Sequence, residues 1–223
     1  MSDPRPIGVF DSGLGGLTVA KEIIKVLPNE DIVYFGDTGR VPYGTKGPDT
    51  IRRYAVEAER FLLSKDVKMI VAACGTVSSV APDTGNDLPV PFVEVISHSV
   101  KEAVEKTRSR KIGILATAAT IKSGAHKKLI MGAMPDAKVT EVSGSLLVQL
   151  VEEGFTDKND PLTVEAVKKY VAPFIENKVD TIILGCTHFP LIADAVASVM
   201  GEDVTLVNMG VETAKAVRNI LSS

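Results

Sequence analysis

The chain has 223 residues, enough to bury a sizeable core in one or two compact units. Its 25 Lys and Arg stand against 28 Asp and Glu, with no basic tract and no Trp, which argues against binding nucleic acid or a polybasic-type membrane contact. The start Met-Ser-Asp-Pro-Arg-Pro has no apolar core, and no apolar stretch reaches the roughly 20 residues of a membrane span, so a soluble cytoplasmic protein is expected.

Short apolar runs predict strands at Ile7–Phe10, Ile32–Phe35, Lys68–Ala73, Phe92–Ile96, Lys111–Ala116, Lys138–Val142, Thr181–Leu184 and Thr205–Val207. Several are apolar on consecutive residues, the pattern of strands covered on both faces. Helical spacing falls between them. Ile51, Tyr54, Ala55, Ala58, Phe61 and Leu62 share one face, with Thr50 the expected N-cap. Leu146, Leu147, Leu150 and Val151 mark a second helix, closed by Gly154. A third opens on Asp160-Pro161, a cap followed by Pro at N1, and carries Val164, Val167, Val171, Phe174 and Ile175. This alternation predicts parallel α/β architecture with right-handed crossovers.

A faint repeat divides the chain. Ile7-Gly-Val-Phe10 resembles Ile112-Gly-Ile-Leu115, and the two cysteines recur at a similar offset, positions 74 and 186. Two pseudo-symmetric parallel-sheet α/β domains with a cleft between them are expected. The first comprises residues 1–96 plus 207–223 and holds Cys74; the second comprises residues 97–206 and holds Cys186. The last strand and helix, from about Thr205, are expected to return to the first half.

The cysteines sit in matched settings. Cys74 ends the run Val67-Lys-Met-Ile-Val-Ala-Ala73, and Cys186 ends Asp180-Thr-Ile-Ile-Leu-Gly185. Each leads into a Thr, Thr76 or Thr187. Both therefore fall at C-terminal strand tips, where open α/β sheets hold their ligands. A lone buried Cys is often only a small hydrophobe, and a matched pair weakens that plainer reading. Facing strand tips hold the sulfurs too far apart for a disulfide. Two Cys and one His are too few for a closed zinc site; an open Cys/His metal site stays an alternative at this point. Pro190 near the start of the next helix places Cys186 by a helix N-terminus, which favours thiolate. His188 is close enough to share its proton.

Two loops complete the cleft. Asp11-Ser-Gly-Leu-Gly-Gly16 follows the first strand; its glycines allow backbone N–H groups to approach an anion, and Asp11 is expected to point into the cleft. It matches neither the dinucleotide fingerprint nor a P-loop. Gly36-Asp-Thr-Gly-Arg-Val-Pro-Tyr-Gly44 follows the second strand. Tyr43 and Gly44 there offer N–H groups to a carboxylate. Arg40 either steers an acidic substrate or is a solvated charge. Two opposed thiols suit exchange of an α-proton between the faces of an amino acid, one as base and the other as acid.

These stretches, with Ala116-Thr-Ala-Ala-Thr-Ile-Lys-Ser123, Val151-Glu-Glu-Gly154 and Gly185-Cys-Thr-His-Phe-Pro-Leu191, resemble the glutamate racemase family of the aspartate/glutamate racemase superfamily. The resemblance implies interconversion of L- and D-glutamate without pyridoxal phosphate, metal or any other cofactor. It also implies a supply of D-glutamate for peptidoglycan, and a homodimer. By position, Cys74 and Cys186 correspond to the acid/base thiols, with Asp11 and His188 as helpers. Ser12, Tyr43, Gly44, Gly75, Thr76 and Thr187 correspond to substrate contacts, together with Asp11 and His188; Asp37 and Glu153 take supporting roles. An aspartate or other amino-acid racemase of the same superfamily, or a catalytically weak homologue that binds an amino acid or a partner, is the alternative. The chain departs from the family pattern at Gly75 (usually Asn), His126 (often Tyr), Glu94–Ser97, Gly144–Ser145 and Asn208. It also ends soon after Leu221.

Overall fold

A computed structural model describes residues 3–222. Met1, Ser2 and Ser223, at the ends of the expected first half, lie outside the described residues.

All eight expected strands form: β1 (Ile7–Asp11), β2 (Ile32–Gly36), β3 (Met69–Ala72), β4 (Phe92–Glu94), β5 (Lys111–Ala116), β6 (Lys138–Ser143), β7 (Thr181–Gly185) and β8 (Thr205–Asn208). Among the described residues ten α-helices accompany them: α1 (Leu17–Val26), α2 (Pro48–Leu63), α3 (Gly75–Val80), α4 (Ile96–Lys106), α5 (Ala118–Ser123), α6 (Ala125–Ala133), α7 (Ser145–Glu152), α8 (Pro161–Glu176), α9 (Ala193–Met200) and α10 (Met209–Leu221).

The strands form two four-stranded parallel sheets of identical topology, β2-β1-β3-β4 and β6-β5-β7-β8. The expected α/β fold with two domains is therefore present, and the faint repeat is structural: β1 corresponds to β5, and Cys-tipped β3 to Cys-tipped β7. In this order the chain reverses direction across the sheet between β1 and β3, and again between β5 and β7. Such switch points open a crevice beyond the carboxyl ends of the strands. Strands β1, β3 and β7 are buried at every residue, which explains their unbroken apolar runs.

Two local expectations change. Helix α2 begins at Pro48 with Gly47 as its N-cap, one turn before Thr50, because Pro fits the first turn, where no intrahelical N–H is needed. Strand β8 does not return to the first half. It pairs with β7, Thr181 opposite Thr205 through Leu184 opposite Asn208. Helix α10 does pack on α1 of the first half. The Asn208 side chain caps it, accepting from Gly210 N at 2.8 Å. Asp160 caps α8 as expected, accepting from Thr163 N at 2.8 Å. Gly154 follows α7 with φ +87°, a conformation that costs glycine little.

Apolar packing covers both faces. Ile7, Val9, Ile23, Val71, Ile112, Ile114, Ile183 and Met209 belong to one cluster, which runs from the first sheet into the second. Phe174 and Leu184 centre a second cluster, and Phe10, Ile51 and Leu62 a third under α2. Burying a side chain of this size contributes about 1.5–3 kcal/mol. The two sheets are thus joined by core as well as by the cleft. Among the described residues, no helix is long and apolar enough to cross a membrane.

Candidate active site

The loops at the carboxyl ends of both sheets meet around one small cavity of ≈ 20 Å³. The first half supplies Ser12, Val41–Gly44, Cys74, Gly75 and Thr76; the second supplies Thr117, Val148, Gly185, Cys186, Thr187 and His188. Of the sequence-derived set, Ser12, Tyr43, Gly44, Cys74, Gly75, Thr76, Cys186, Thr187 and His188 meet here, with both thiols lining the same space, while Asp11, Asp37 and Glu153 are not among the lining residues. Both are free and buried. A cavity this size holds about one water molecule.

Burial dominates the chemistry of the thiols. It pushes Cys74 up to about 12, and the nearby Asp11 charge adds to the shift. Burial likewise pushes Cys186 up, against the hydrogen bond from the His188 backbone. This overturns the expectation of a helix-activated thiolate. Pro190 opens only the short 3-10 turn Phe189–Ile192, and α9 begins at Ala193, so no full helix points its N-terminus at Cys186. With the cleft closed, both sulfurs carry protons at neutral pH.

Each thiol has a different neighbour. Cys74 Sγ donates to Ser12 Oγ at 3.7 Å. Cys186 Sγ lies 3.6 Å from His188 Nδ1, and His188 Nε2 lies 3.0 Å from Glu152 Oε1. The Glu152 carboxylate can only accept, so Nε2 carries the hydrogen. In neutral His188 that leaves Nδ1 free to accept from the Cys186 thiol. Glu152 is a residue that the sequence reading missed in favour of Glu153. Glu153 is exposed and follows the last residue of α7. Glu152 stands four residues after Val148 and so shares its helix face, but only the fold puts Val148 on the cavity.

Asp11 does not point into the cavity. It is buried behind the wall, where its Oδ2 accepts from Gly13 N at 3.1 Å and Gly16 N at 3.0 Å. The glycine loop thus spends these N–H groups on its own carboxylate. Asp11 Oδ1 has no hydrogen-bond partner. Burial raises the Asp11 pKa, while the His188 charge and the loop N–H groups oppose it.

Asp37 is also buried. It accepts from the Tyr43 hydroxyl and, at 2.6 Å, from Arg40 Nε. It therefore fixes the cavity wall at Tyr43. Arg40 is neither a steering charge nor freely solvated: it is paired with Asp37 and Glu57 and lies 4.1 Å over the Tyr54 ring. No Lys or Arg is among the residues lining the cavity.

Thr117 is a second residue missed at first reading. Its hydroxyl lies 3.0 Å from that of Thr76 and 3.0 Å from that of Thr120, linking α3 of the first half to α5 of the second. The repeat pointed to it, since aligning Ile7 with Ile112 sets Ser12 on Thr117. Thr18 Oγ1 ties the halves again by donating to Thr187 O at 2.9 Å. The departure His126 is buried in α6, and burial lowers its pKa to about 4, so its imidazole is neutral.

Two strand-tip thiols, one from each half, thus line one cavity, Cys74 beside Ser12 and Cys186 beside His188, in a fold of two like α/β halves. Comparison places this chain in a family. The family model for Asp/Glu/Hydantoin racemase matches residues 7–217, and the chain belongs to that family. It is 45% identical over 218 residues to the glutamate racemase of Geobacter metallireducens, covering 97% of this chain and 80% of that protein. The crystal structure of glutamate racemase from Francisella tularensis, in complex with D-glutamate, is similar with a TM-score of 0.91 and 37% identity, over 98% of this chain and 81% of the other. A glutamate racemase isoform of Bacillus anthracis gives a TM-score of 0.93 at 35% identity, over 98% and 82%.

Proposed function

We propose that the protein interconverts L- and D-glutamate by proton transfer between Cys74 and Cys186 across the substrate α-carbon. The observation that carries this reading is the shared cavity, which presents both sulfurs from opposite sheets to one space. The relatives named glutamate racemase support the choice of substrate.

One thiolate takes the α-proton, and the C–H electron pair stays on the α-carbon, delocalised into the carboxylate. The opposite thiol gives its proton to the other face. The first sulfur ends as thiol and the second as thiolate, so atoms and charge balance. Because both sulfurs rest as thiols, one proton must leave before the first turnover. His188 Nδ1, oriented by Glu152, is placed to take it from Cys186. Asp11 acts beside Cys74, where its charge opposes the thiolate and favours the acid form. The α-carbanion is costly, and fixed donors in a site closed to water lower that cost. Ser12, Thr76, Thr117, Thr187 and the N–H groups near Tyr43, Gly44 and Gly75 are the donors at hand. The family resemblance supports chemistry without pyridoxal phosphate or metal.

The cavity is smaller than an amino acid, and separation of the halves would widen it for entry. The division of residues 1–96 with α10 against 97–208 fits this motion, with β8 kept in the second half. The resemblance further supports a cytoplasmic homodimer whose D-glutamate enters peptidoglycan.

Polarimetry and proton NMR of purified protein with L-glutamate in heavy water, without additives, test the reaction. The expected result is α-deuterium uptake together with decay of rotation to zero. Retention of both the α-proton and the rotation overturns the assignment. Faster turnover of L-aspartate overturns the choice of substrate.

A further inference from the structure

Behind the cavity, one tyrosine holds the loop that holds Asp11. Tyr34 sits in the middle of β2, opposite Val9, and its ring packs against the main apolar cluster. Its hydroxyl donates to Gly13 O at 2.7 Å. It is not among the residues lining the cavity. Gly13 is therefore gripped from both sides: its N–H is turned to Asp11 Oδ2, and its carbonyl to Tyr34. The packing leaves little freedom. A Cβ at Gly16 would lie 2.4 Å from Asp11 Cβ and 2.7 Å from the Tyr34 hydroxyl oxygen. A Cβ at Gly36, two residues beyond Tyr34, would lie 2.6 Å from Gly13 O.

We propose that Tyr34 is a positioning residue for Asp11: its hydroxyl anchors Gly13, and through Gly13 and Gly16 it aims the Asp11 carboxylate. This rests on the racemase reading above. The phenol suits the task because a buried peptide carbonyl needs a donor, and a phenylalanine ring would leave Gly13 O unpaired. The same hydroxyl stays a donor across the working pH range, because burial and then the nearby Asp11 charge resist its ionisation. The two N–H groups on Oδ2 favour the Asp11 carboxylate. Loosening them must therefore shift Asp11 towards its protonated form at a given pH.

The test is Tyr34→Phe, which keeps the ring and removes the donor. The expected result is a kcat reduced about 3- to 10-fold, the size of one neutral hydrogen bond, with KM unchanged within about twofold. The acid limb of kcat/KM moves to higher pH. In an Asp11→Asn background the same change costs nothing further. Gly36→Ala presses on the Gly13 carbonyl and the Tyr34 ring together and gives the same upward shift, should Tyr34→Phe fold poorly. Carboxyl 13C titration of Asp11 is followed in the same samples, independently of turnover, so it speaks even if the wild-type protein racemises nothing. An Asp11 titration unmoved in both variants overturns the proposal. So does a loss of thermal stability with an unaltered pH profile, which marks a purely structural tyrosine.

Discussion

Gly75 controls how tightly the cleft closes. It opens α3 directly after Cys74, and a Cβ built there would stand 2.6 Å from Gly185 O, on the tip of β7 in the other half. Ordinary contact begins near 3.4 Å, so Gly75→Ala must part the two tips by about 0.8 Å. The obstacle is backbone on the Cys-bearing strand, with no flexible side chain to swing away. Overpacking of this kind costs about 1–3 kcal/mol. Set against the closed state alone, that enlarges the open population by roughly 5- to 150-fold. The assay is iodoacetamide alkylation of Cys74 and Cys186 without substrate, followed by mass spectrometry. Both sulfurs are buried and protonated when closed, so labelling reports opening. Gly132→Ala is the control, since a Cβ there meets nothing within 4 Å. The expected result is labelling faster by tenfold or more in Gly75→Ala and near wild-type in Gly132→Ala. Equal rates in all three proteins would refute the argument that this contact limits opening.

Cys74→Ala and Cys186→Ala each abolish racemisation, lowering kcat by at least about 10³-fold, while deuterium exchange without inversion persists on the side that keeps its base; full racemase activity in either variant sinks the two-thiol mechanism. Glu152→Gln leaves the cavity wall intact but weakens the hold on the His188 tautomer, lowering kcat about 10- to 100-fold, whereas Glu153→Gln has no effect; steady-state kinetics on both variants separates the two residues. Stability falls at alkaline pH. A buried thiol held above its ordinary value of 9.0 contributes stability fully below that pH and loses it as pH rises through about 12 for Cys74. The slope is at most about 1.4 kcal/mol per pH unit for each thiol. Urea denaturation between pH 8 and 11 shows a shallower decline in Cys74→Ala than in the wild-type chain, and identical slopes contradict it.

Much of this was legible in the sequence for a physical reason. Strands buried on both faces, β1, β3 and β7, read as consecutive apolar residues, and the cysteines that follow two of them were visible with them. What was lost lies in interactions between elements. β8 carries a strand pattern, but nothing in Thr205–Asn208 states which sheet it joins; that is settled by pairing with β7. The aim of Asp11 was misjudged because its own loop supplies the N–H groups that turn it inward. The thiolate expected at Cys186 failed because desolvation outweighs local hydrogen bonding once the halves close. Thr117 was within reach through the repeat that equates Ser12 with Thr117, whereas Glu152 was not, because the place of its neighbour Val148 on the cavity is set by the fold.

The same repeat exposes where symmetry ends. Aligning Cys74 with Cys186 sets Thr76 on His188, and aligning Ile7 with Ile112 sets Asp11 on Ala116. The first half therefore has a buried carboxyl and no imidazole at the thiol, and the second has an imidazole and no equivalent carboxyl. Substrate and product are mirror images with equal free energy in water, so kcat/KM must be the same in both directions whatever the helpers do. No such rule binds the two proton transfers within a turnover. On the proposed mechanism, an imidazole that accepts from Cys186 and a carboxylate that discourages ionisation of Cys74 make Cys186 the first sulfur to give up its proton. Two like halves suit that mechanism because it needs two opposed sulfurs, and their helpers differ because only one of the two must ionise before turnover begins.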